Sequence, residues 1–207
     1  MELTINFRIK TNLEAMCKEK TYKNIFEVMN LEHRLQNYIE LRKTCEDKLF
    51  SGIYNDAQPN ERVKYGACNI FNDSKGALDI AQYGEHYGDS FFVLKNHVKS
   101  RVTIVYNDSF IATTKQIATF DNLSHILLNY DDKTLHTLIE LAIMGTTVNY
   151  TTFSKAIYTE FQVHGDLTFA TDIDRMMVNP IHKTNKAICD LLEEFTVKHG
   201  VKYDWYT

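Results

Sequence analysis

The sequence predicts an α+β protein in which an N-terminal helical segment is followed by a mixed or antiparallel sheet. Two patterns carry this prediction. Apolar residues recur every three or four positions between about residues 12 and 49, and short alternating stretches dominate the rest of the chain. The connections between these stretches are too short for regular strand–helix–strand crossovers, and this favours antiparallel or mixed pairing over a doubly wound parallel sheet.

The first half of the chain is predicted to contain an opening strand, two or three helices and one further strand. Residues 3–7 alternate in hydrophobicity, and the helical pattern that follows is interrupted near Thr21 and Asn30. A turn at residues 56–60 leads into a strand at about 63–71, with Gly66 inside it. A glycine within a strand often marks the close approach of another backbone or of a ligand.

The second half is predicted to be rich in strands and to end with the clearest helix of the chain. Residues 72–88 are predicted to form a loop, because turn-forming residues are frequent there. The elements predicted after it are strands at 90–94 and 101–106, a helix at 134–144, a strand within 153–164, a helix at 184–199 and an edge strand at 201–206. The predicted apolar side of the last helix is formed by Ala187, Ile188, Leu191, Leu192 and Phe195.

The size and charge of the chain limit the classes of function. Its 207 residues suffice for one domain, which we expect to comprise a helical subdomain at about 12–49 and a core at about 50–207. The net charge of −4 argues against binding to nucleic acid or to an anionic membrane. The four scattered cysteines are expected to be reduced, and no metal is expected. The start of the chain lacks a cleavable signal, so we expect export by a specialised system or a cytoplasmic protein.

The predicted strand near residue 160 has an apolar back and an unusually polar front. Glu160, Gln162 and His164 are spaced two apart and therefore share one face, while Phe161 and Val163 can enter a core. A fixed carboxylate in this position can stabilise the positively charged transition state of glycosidic bond cleavage, with Gln162 holding a ribose or an acceptor. A solvent-facing glutamate on an edge strand remains the alternative.

Two other segments contain candidate ligand-binding residues. Arg62 begins the strand that contains Gly66, and a guanidinium group can donate two parallel hydrogen bonds to a diphosphate. A Gly-Asp turn runs into two aromatic residues that could seat a flat cationic ring. The alternatives are a surface arginine and an ordinary turn before a core strand. The candidate residues of the second segment are Ser90, Phe91 and Phe92.

These segments resemble, in the right order, a family of uncharacterised bacterial proteins. The matching segments are Lys48-Leu49-Phe50-Ser51-Gly52-Ile53-Tyr54-Asn55, Tyr65-Gly66-Ala67-Cys68-Asn69 after Glu61-Arg62, Gly88-Asp89-Ser90-Phe91, and Tyr158-Thr159-Glu160-Phe161-Gln162-Val163-His164-Gly165. The last corresponds to the family form Tyr-x-Glu-x-Gln-x-His-Gly. That family is similar to bacterial effector ADP-ribosyltransferases, in particular to those that modify a threonine of host ubiquitin.

The resemblance implies a secreted toxin that transfers ADP-ribose from NAD to a side chain of a host protein, with ubiquitin as a candidate acceptor. It implies a split sheet of the ADP-ribosyltransferase type, with the NAD-binding catalytic core at about residues 50–207 and the helical segment recognising the acceptor. Glu160 would be the catalytic carboxylate. The implied NAD contacts are Arg62 at the diphosphate, Ser90, Phe91 and Phe92 at the nicotinamide end, and Tyr65, Gly66 and Gln162.

The sequence leaves several alternatives open. The usual late-strand signature places the essential glutamate second, whereas here Glu160 stands first and Gln162 second. Arg8 stands where a histidine is usual, and helical sequence replaces a glycine-rich segment at residues 28–46, so the acceptor could differ. The other functions considered are an NAD glycohydrolase, a cysteine hydrolase that uses Cys68 and His164, and a binding module without chemistry.

Overall fold

The computed structural model describes residues 1–28, 36–144 and 158–207. The strands are β1 (Glu2–Phe7), β2 (Lys64–Asn69), β3 (Ser90–Leu94), β4 (Val102–Tyr106), β5 (Thr159–Val163), β6 (Ile173–Val178) and β7 (Lys202–Trp205). The helices are α1 (Ile9–Lys18), α2 (Ile25–Val28), α3 (Gln36–Phe50), α4 (Ile80–Tyr87), α5 (Ser124–Leu127), α6 (Asp132–Met144), α7 (Phe169–Asp172) and α8 (Lys186–His199). Short 3₁₀ turns lie at Pro59–Glu61, Asn96–Arg101, Thr114–Gln116 and Pro180–His182.

The strands form one seven-stranded mixed sheet in the order β4-β5-β2-β1-β3-β6-β7. Neighbouring strands pair antiparallel except β6 and β7, which pair parallel across the crossover helix α8. The predicted α+β class and mixed sheet are therefore confirmed. No helix in the described ranges is both long and apolar enough to cross a bilayer.

The sheet opens between its two central strands. β1 and β2 pair only from Glu2 to Thr4 on one side and from Ala67 to Asn69 on the other. Beyond Thr4, β1 continues against β3, and before Ala67, β2 continues against β5. The two strands therefore diverge, and this separation forms the expected split in the sheet.

The main hydrophobic core lies on one face of the sheet, beneath α1 and α8. Alternation along β1 directs Leu3, Ile5 and Phe7 into this core, and β5 adds Phe161 and Val163. Helix α1 packs against α8 on the core face, and α3 reaches the opposite face of the sheet.

Gly66 is required by the packing of the protein itself. A Cβ atom at this position would lie 2.3 Å from the Phe161 ring and 2.5 Å from the Thr4 carbonyl oxygen. Real Cβ contacts are not this short, so a side chain would push β1, β2 and β5 apart. The absence of a side chain at Gly66 is thus explained by a neighbouring ring and backbone, and needs no ligand.

Most of the predicted elements are confirmed, and the exceptions have physical causes. The predicted loop at residues 72–88 is wrong in its second half, because Asp79 caps the helix α4 by accepting a hydrogen bond from the Ala81 amide. Strand β6 was not predicted. Ala187, predicted to face the core, is exposed at the first turn of α8. The predicted break near Asn30 lies outside the described residues.

Candidate active site in the opening of the sheet

A cleft of about 190 Å³ lies where β1 and β2 diverge. Strands β1, β2 and β5 form its floor, and its walls come from α3, α4 and the segment before α2. Its most distinctive feature is a set of five tyrosines, Tyr22, Tyr38, Tyr65, Tyr87 and Tyr158. Aromatic walls of this kind suit a flat ring, and they attract a cationic one most strongly.

Glu160 is the acidic residue that lines the cleft, and it is only 3% exposed. Its carboxylate accepts hydrogen bonds from Gln162 Nε2 at 3.0 Å and from the Tyr158 hydroxyl at 3.3 Å, and a third comes from the Ser109 hydroxyl. Burial raises its pKa above the ordinary value, although the hydrogen bonds and nearby Arg42 act in the opposite direction. The carboxylate is therefore oriented by neutral donors and poorly solvated.

The front face of β5 carries a continuous row of hydrogen-bonded side chains. Gln162 Oε1 accepts a hydrogen bond from the Thr103 hydroxyl at 2.9 Å. The same hydroxyl lies 3.0 Å from His164 Nε2. His164 Nδ1 lies 2.6 Å from the Tyr54 hydroxyl. Because both ring nitrogens are occupied and burial lowers its pKa, His164 serves as a structural group that fixes the row. The prediction that Glu160, Gln162 and His164 share one face is confirmed.

Arg42 of α3 lies between aromatic rings beside the carboxylate. Its guanidinium carbon is 3.9 Å from the Phe110 ring centre and 4.3 Å from that of Tyr65. Its nitrogens donate to the Ser109 hydroxyl at 3.0 Å and to the Tyr38 hydroxyl at 3.2 Å. Since Ser109 also bonds Glu160, the arginine supports the carboxylate through an intervening hydroxyl. Sequence reasoning missed Arg42, and its only signal was the four-residue spacing from Glu46.

Arg62 is engaged by the protein and does not line the cleft. One of its nitrogens donates to Glu46 at 2.6 Å and another to the Tyr54 carbonyl at 2.8 Å, and the residue is 4% exposed. Phe26 covers its guanidinium at 4.7 Å. The diphosphate role expected for Arg62 therefore finds no geometric support, because both the charge and the planar face of this side chain are already in use.

Glu46 joins Arg62 to the cleft residue Tyr65. Its carboxylate is fully buried, and it accepts the Tyr65 hydroxyl at 2.8 Å in addition to the arginine. Burial raises its pKa despite these partners. The Tyr65 ring is therefore fixed at the cleft wall. Tyr65 is one of the residues predicted from the sequence to contact NAD.

The other predicted contacts divide into those at the cleft and those in the core. Gly66 lines the cleft together with Tyr65, and Gln162 lies directly behind Glu160 as its hydrogen-bond donor. Ser90 is fully buried on β3 and contacts Asp89. The structure does not bring Phe91 and Phe92 of β3 to the cleft, because the two rings fill separate core clusters on opposite faces of the sheet.

The geometry contradicts the thiolate pair. Cys68 lies in the main core, while His164 is on the other face of the sheet with both nitrogens engaged. Burial raises the pKa of the Cys68 thiol to about 12, so it is not a nucleophile. A cysteine hydrolase using these residues is excluded.

Comparison with known proteins assigns the chain to a family without assigning an activity. A family model described as a protein of unknown function matches residues 4–152. This range includes most of β1, all of β2 to β4 and the α3 wall of the cleft, and it ends before Glu160. No curated protein matches the chain.

Proposed function

The chain belongs to the DUF3626 family, whose description states no activity, and we propose that it is an NAD-dependent mono-ADP-ribosyltransferase with Glu160 as its catalytic carboxylate. The observation that supports this proposal is a buried carboxylate at the base of a tyrosine-walled cleft, where the sheet opens. The nicotinamide of NAD is a flat cationic ring on a ribose, so it matches both the walls and the charge of this cleft.

The reaction breaks the bond between nicotinamide nitrogen and the ribose carbon. The electron pair leaves with nicotinamide, and the ribose becomes an oxocarbenium-like cation. A carboxylate with neutral donors and little solvent stabilises this cation more strongly than one already paired with a cation. A hydroxyl of an acceptor protein then forms the new bond, and its proton passes to Glu160 or to water. Gln162, Ser109 and Tyr158 hold the carboxylate in place.

The volume of the cleft indicates how NAD would lie. About 190 Å³ accommodates a nicotinamide ribose but falls below the usual range for a whole drug-sized ligand, so the adenosine diphosphate would extend over the rim. Lys23 lies on that rim, paired at 2.8 Å with Glu19 and with 36% of its side chain exposed. It replaces Arg62 as the proposed diphosphate contact, because its ammonium can turn toward a phosphate without leaving a buried partner unpaired.

Incubation with NAD and candidate acceptors, ubiquitin first, tests the proposal. We expect nicotinamide release together with a mass increase of one ADP-ribosyl group on the acceptor. Glu160→Gln keeps the size and most hydrogen bonds of the side chain but removes its charge, and we expect it to lower the rate at least about 100-fold, as loss of one stabilising group does in other enzymes. The matched control, Glu61→Gln, changes an exposed glutamate outside the cleft and should react at the wild-type rate.

The outcomes separate the proposal from its alternatives. Nicotinamide release without labelling of any protein would reassign the acceptor to water and make the protein an NAD glycohydrolase. Full transfer by Glu160→Gln would refute the role of the carboxylate. Absence of NAD binding by the wild-type protein would support a module that binds proteins without chemistry.

A further inference from the structure

Asn6 carries an unused hydrogen-bond acceptor at the cleft. Its Oδ1 atom is buried and accepts no hydrogen bond from the part of the chain that the structure describes. Such an atom costs free energy in the absence of a partner, because it has lost its contact with water. Asn6 lines the cleft, so a ligand bound there can supply the missing donor.

The orientation of the Asn6 amide is fixed by its other end. Nδ2 donates to the Gly88 carbonyl oxygen at 3.3 Å, and because a carbonyl only accepts, the nitrogen must face Gly88 and the oxygen must be the free atom. Gly88 is held there by close backbone contact: a Cβ atom on it would lie 2.0 Å from the Phe7 carbonyl carbon, and its φ is 103°. The glycine therefore sets which atom of Asn6 remains available.

Asn6 and Glu160 lie on the same face of the sheet, on opposite sides of its opening. Thr4 pairs with Ala67, and Ala67 pairs with Glu160, so these three side chains share a face, and Asn6 is two residues beyond Thr4. Two strand spacings and two residue rises place the Cα atoms of Asn6 and Glu160 at least about 12 Å apart. A ligand that contacts both side chains must therefore bridge the opening of the sheet.

We infer that Asn6 Oδ1 accepts a hydrogen bond from the carboxamide N–H of the nicotinamide ring and so selects carboxamide-bearing dinucleotides. This inference rests on the proposed function. A carboxamide supplies an N–H donor at the edge of the ring, whereas the carboxylate of nicotinic acid presents only acceptors. A buried acceptor facing a carboxylate is repelled, so Asn6 would discriminate between two ligands of the same size.

The test compares, by calorimetry, how tightly NAD and nicotinic acid adenine dinucleotide bind to the full chain. Every protein in this comparison carries Glu160→Gln, which prevents turnover of NAD. We expect NAD to bind about tenfold more tightly, the equivalent of one neutral hydrogen bond, and Asn6→Ala to bring the two affinities together. The control Asn96→Ala removes an exposed asparagine outside the cleft and should keep the discrimination.

A second ligand keeps the test independent of the folding of the Asn6 variant. The 3-acetylpyridine analogue of NAD keeps the ring carbonyl and lacks the N–H, so it should bind the Asn6 protein about tenfold more weakly than NAD does. Equal affinities for all three dinucleotides, or discrimination that survives Asn6→Ala, would overturn the inference and leave the proposed function intact. Failure of every dinucleotide to bind the wild-type protein would instead overturn both.

Discussion

Two buried carboxylates lie on the front face of the sheet, and their partners give them different roles. Glu46 is neutralised by direct contact with Arg62, so its charge is balanced within the protein. The hydrogen bonds of Glu160 that the structure describes come from neutral groups, and Arg42 reaches it only through Ser109. A buried charge without a direct counter-ion favours a cationic ligand, and this contrast supports Glu160 rather than Glu46 as the carboxylate of the proposed transferase.

The raised pKa of Glu160 predicts a pH dependence of stability and of activity. A carboxyl whose pKa is higher in the folded than in the unfolded protein contributes stability that is complete below the ordinary value of 4.5 and is lost as pH rises through the folded pKa. Glu160→Gln cannot undergo this loss. We therefore expect the unfolding free energy of the variant, relative to wild type, to increase with pH from about 4.5 upward, measured by urea unfolding at a series of pH values.

Activity should follow the opposite trend in the wild-type protein, since the ionised carboxylate stabilises the cation. The rate of nicotinamide release should rise with pH along a limb whose midpoint lies above 4.5. A constant difference in stability across this range, together with a flat rate profile, would contradict the assignment of a raised pKa to Glu160.

The sequence predicted the residues of a single strand more reliably than contacts between distant elements. Alternation of side chains is a local property, so the shared face of Glu160, Gln162 and His164 followed directly from spacing. The roles of Arg62 and Phe91 could not be derived from spacing, because each role depends on which side chains from other elements contact the residue. Glu46 reaches Arg62 from α3, and Tyr206 stacks on Phe91 from the C-terminus, and no local pattern encodes either contact.

At the level of elements, α3 connects the N-terminal part of the chain to the site. Arg42 and Glu46 are four residues apart and therefore project from the same side of the helix, toward the front of the sheet. Leu49 and Phe50 continue that side into a small core with Val63. The helical segment that was expected to recognise an acceptor thus supplies, through α3, one wall of the cleft.

Breaking the ion pair between α3 and the start of β2 should destabilise the whole fold. Arg62→Met leaves Glu46 buried without its cation, and we expect a loss of about 3–5 kcal/mol in the free energy of unfolding. The double variant Arg62→Met, Glu46→Leu removes both charges and should recover most of this loss, because well-packed apolar residues can replace a buried pair. Denaturant unfolding of the two variants measures the difference.

This prediction also tests the role that the sequence alone suggested for Arg62. A single variant that unfolds like wild type but no longer binds NAD would show that the guanidinium contacts the diphosphate after all. If the ion pair is structural, the folded fraction of the single variant should bind NAD with unchanged affinity, because neither residue lines the cleft.

At the scale of the molecule, the sheet is continuous near the start of β1 and open near its end. The main core closes one face along the whole sheet, whereas the opening leaves a gap on the other face that is bordered by β1, β2 and β5. The sequence could predict strands and their count approximately, but it could not predict this gap. Its position depends on the register of Thr4 against Ala67 and on the packing of Phe161 over Gly66, which are contacts between residues far apart in the chain.

A ligand in the opening should protect both of its borders while leaving the far edge of the sheet unchanged. At a concentration 100 times its dissociation constant, NAD should raise the free energy of unfolding by about 2.7 kcal/mol. Hydrogen exchange should then slow locally at the end of β1, at residues 65–67 and around Gly88, because these backbones border the cleft or the Asn6 contact. The edge strand β7 and the helix α8 serve as the internal reference, and their amides should slow only as much as global stabilisation requires.

A second cavity in the protein offers another place where NAD could bind, away from the opening of the sheet. It has a volume of about 340 Å³ and is lined mainly by apolar side chains, among them Ile126 of α5 and Leu138 of α6. If NAD slowed exchange there and left residues 65–67 unchanged, the ligand would lie away from Glu160, and the carboxylate could not reach the ribose. Because stability and local protection are measured on the same sample, a ligand that stabilises the fold from the wrong site would be distinguished from one that binds in the opening of the sheet.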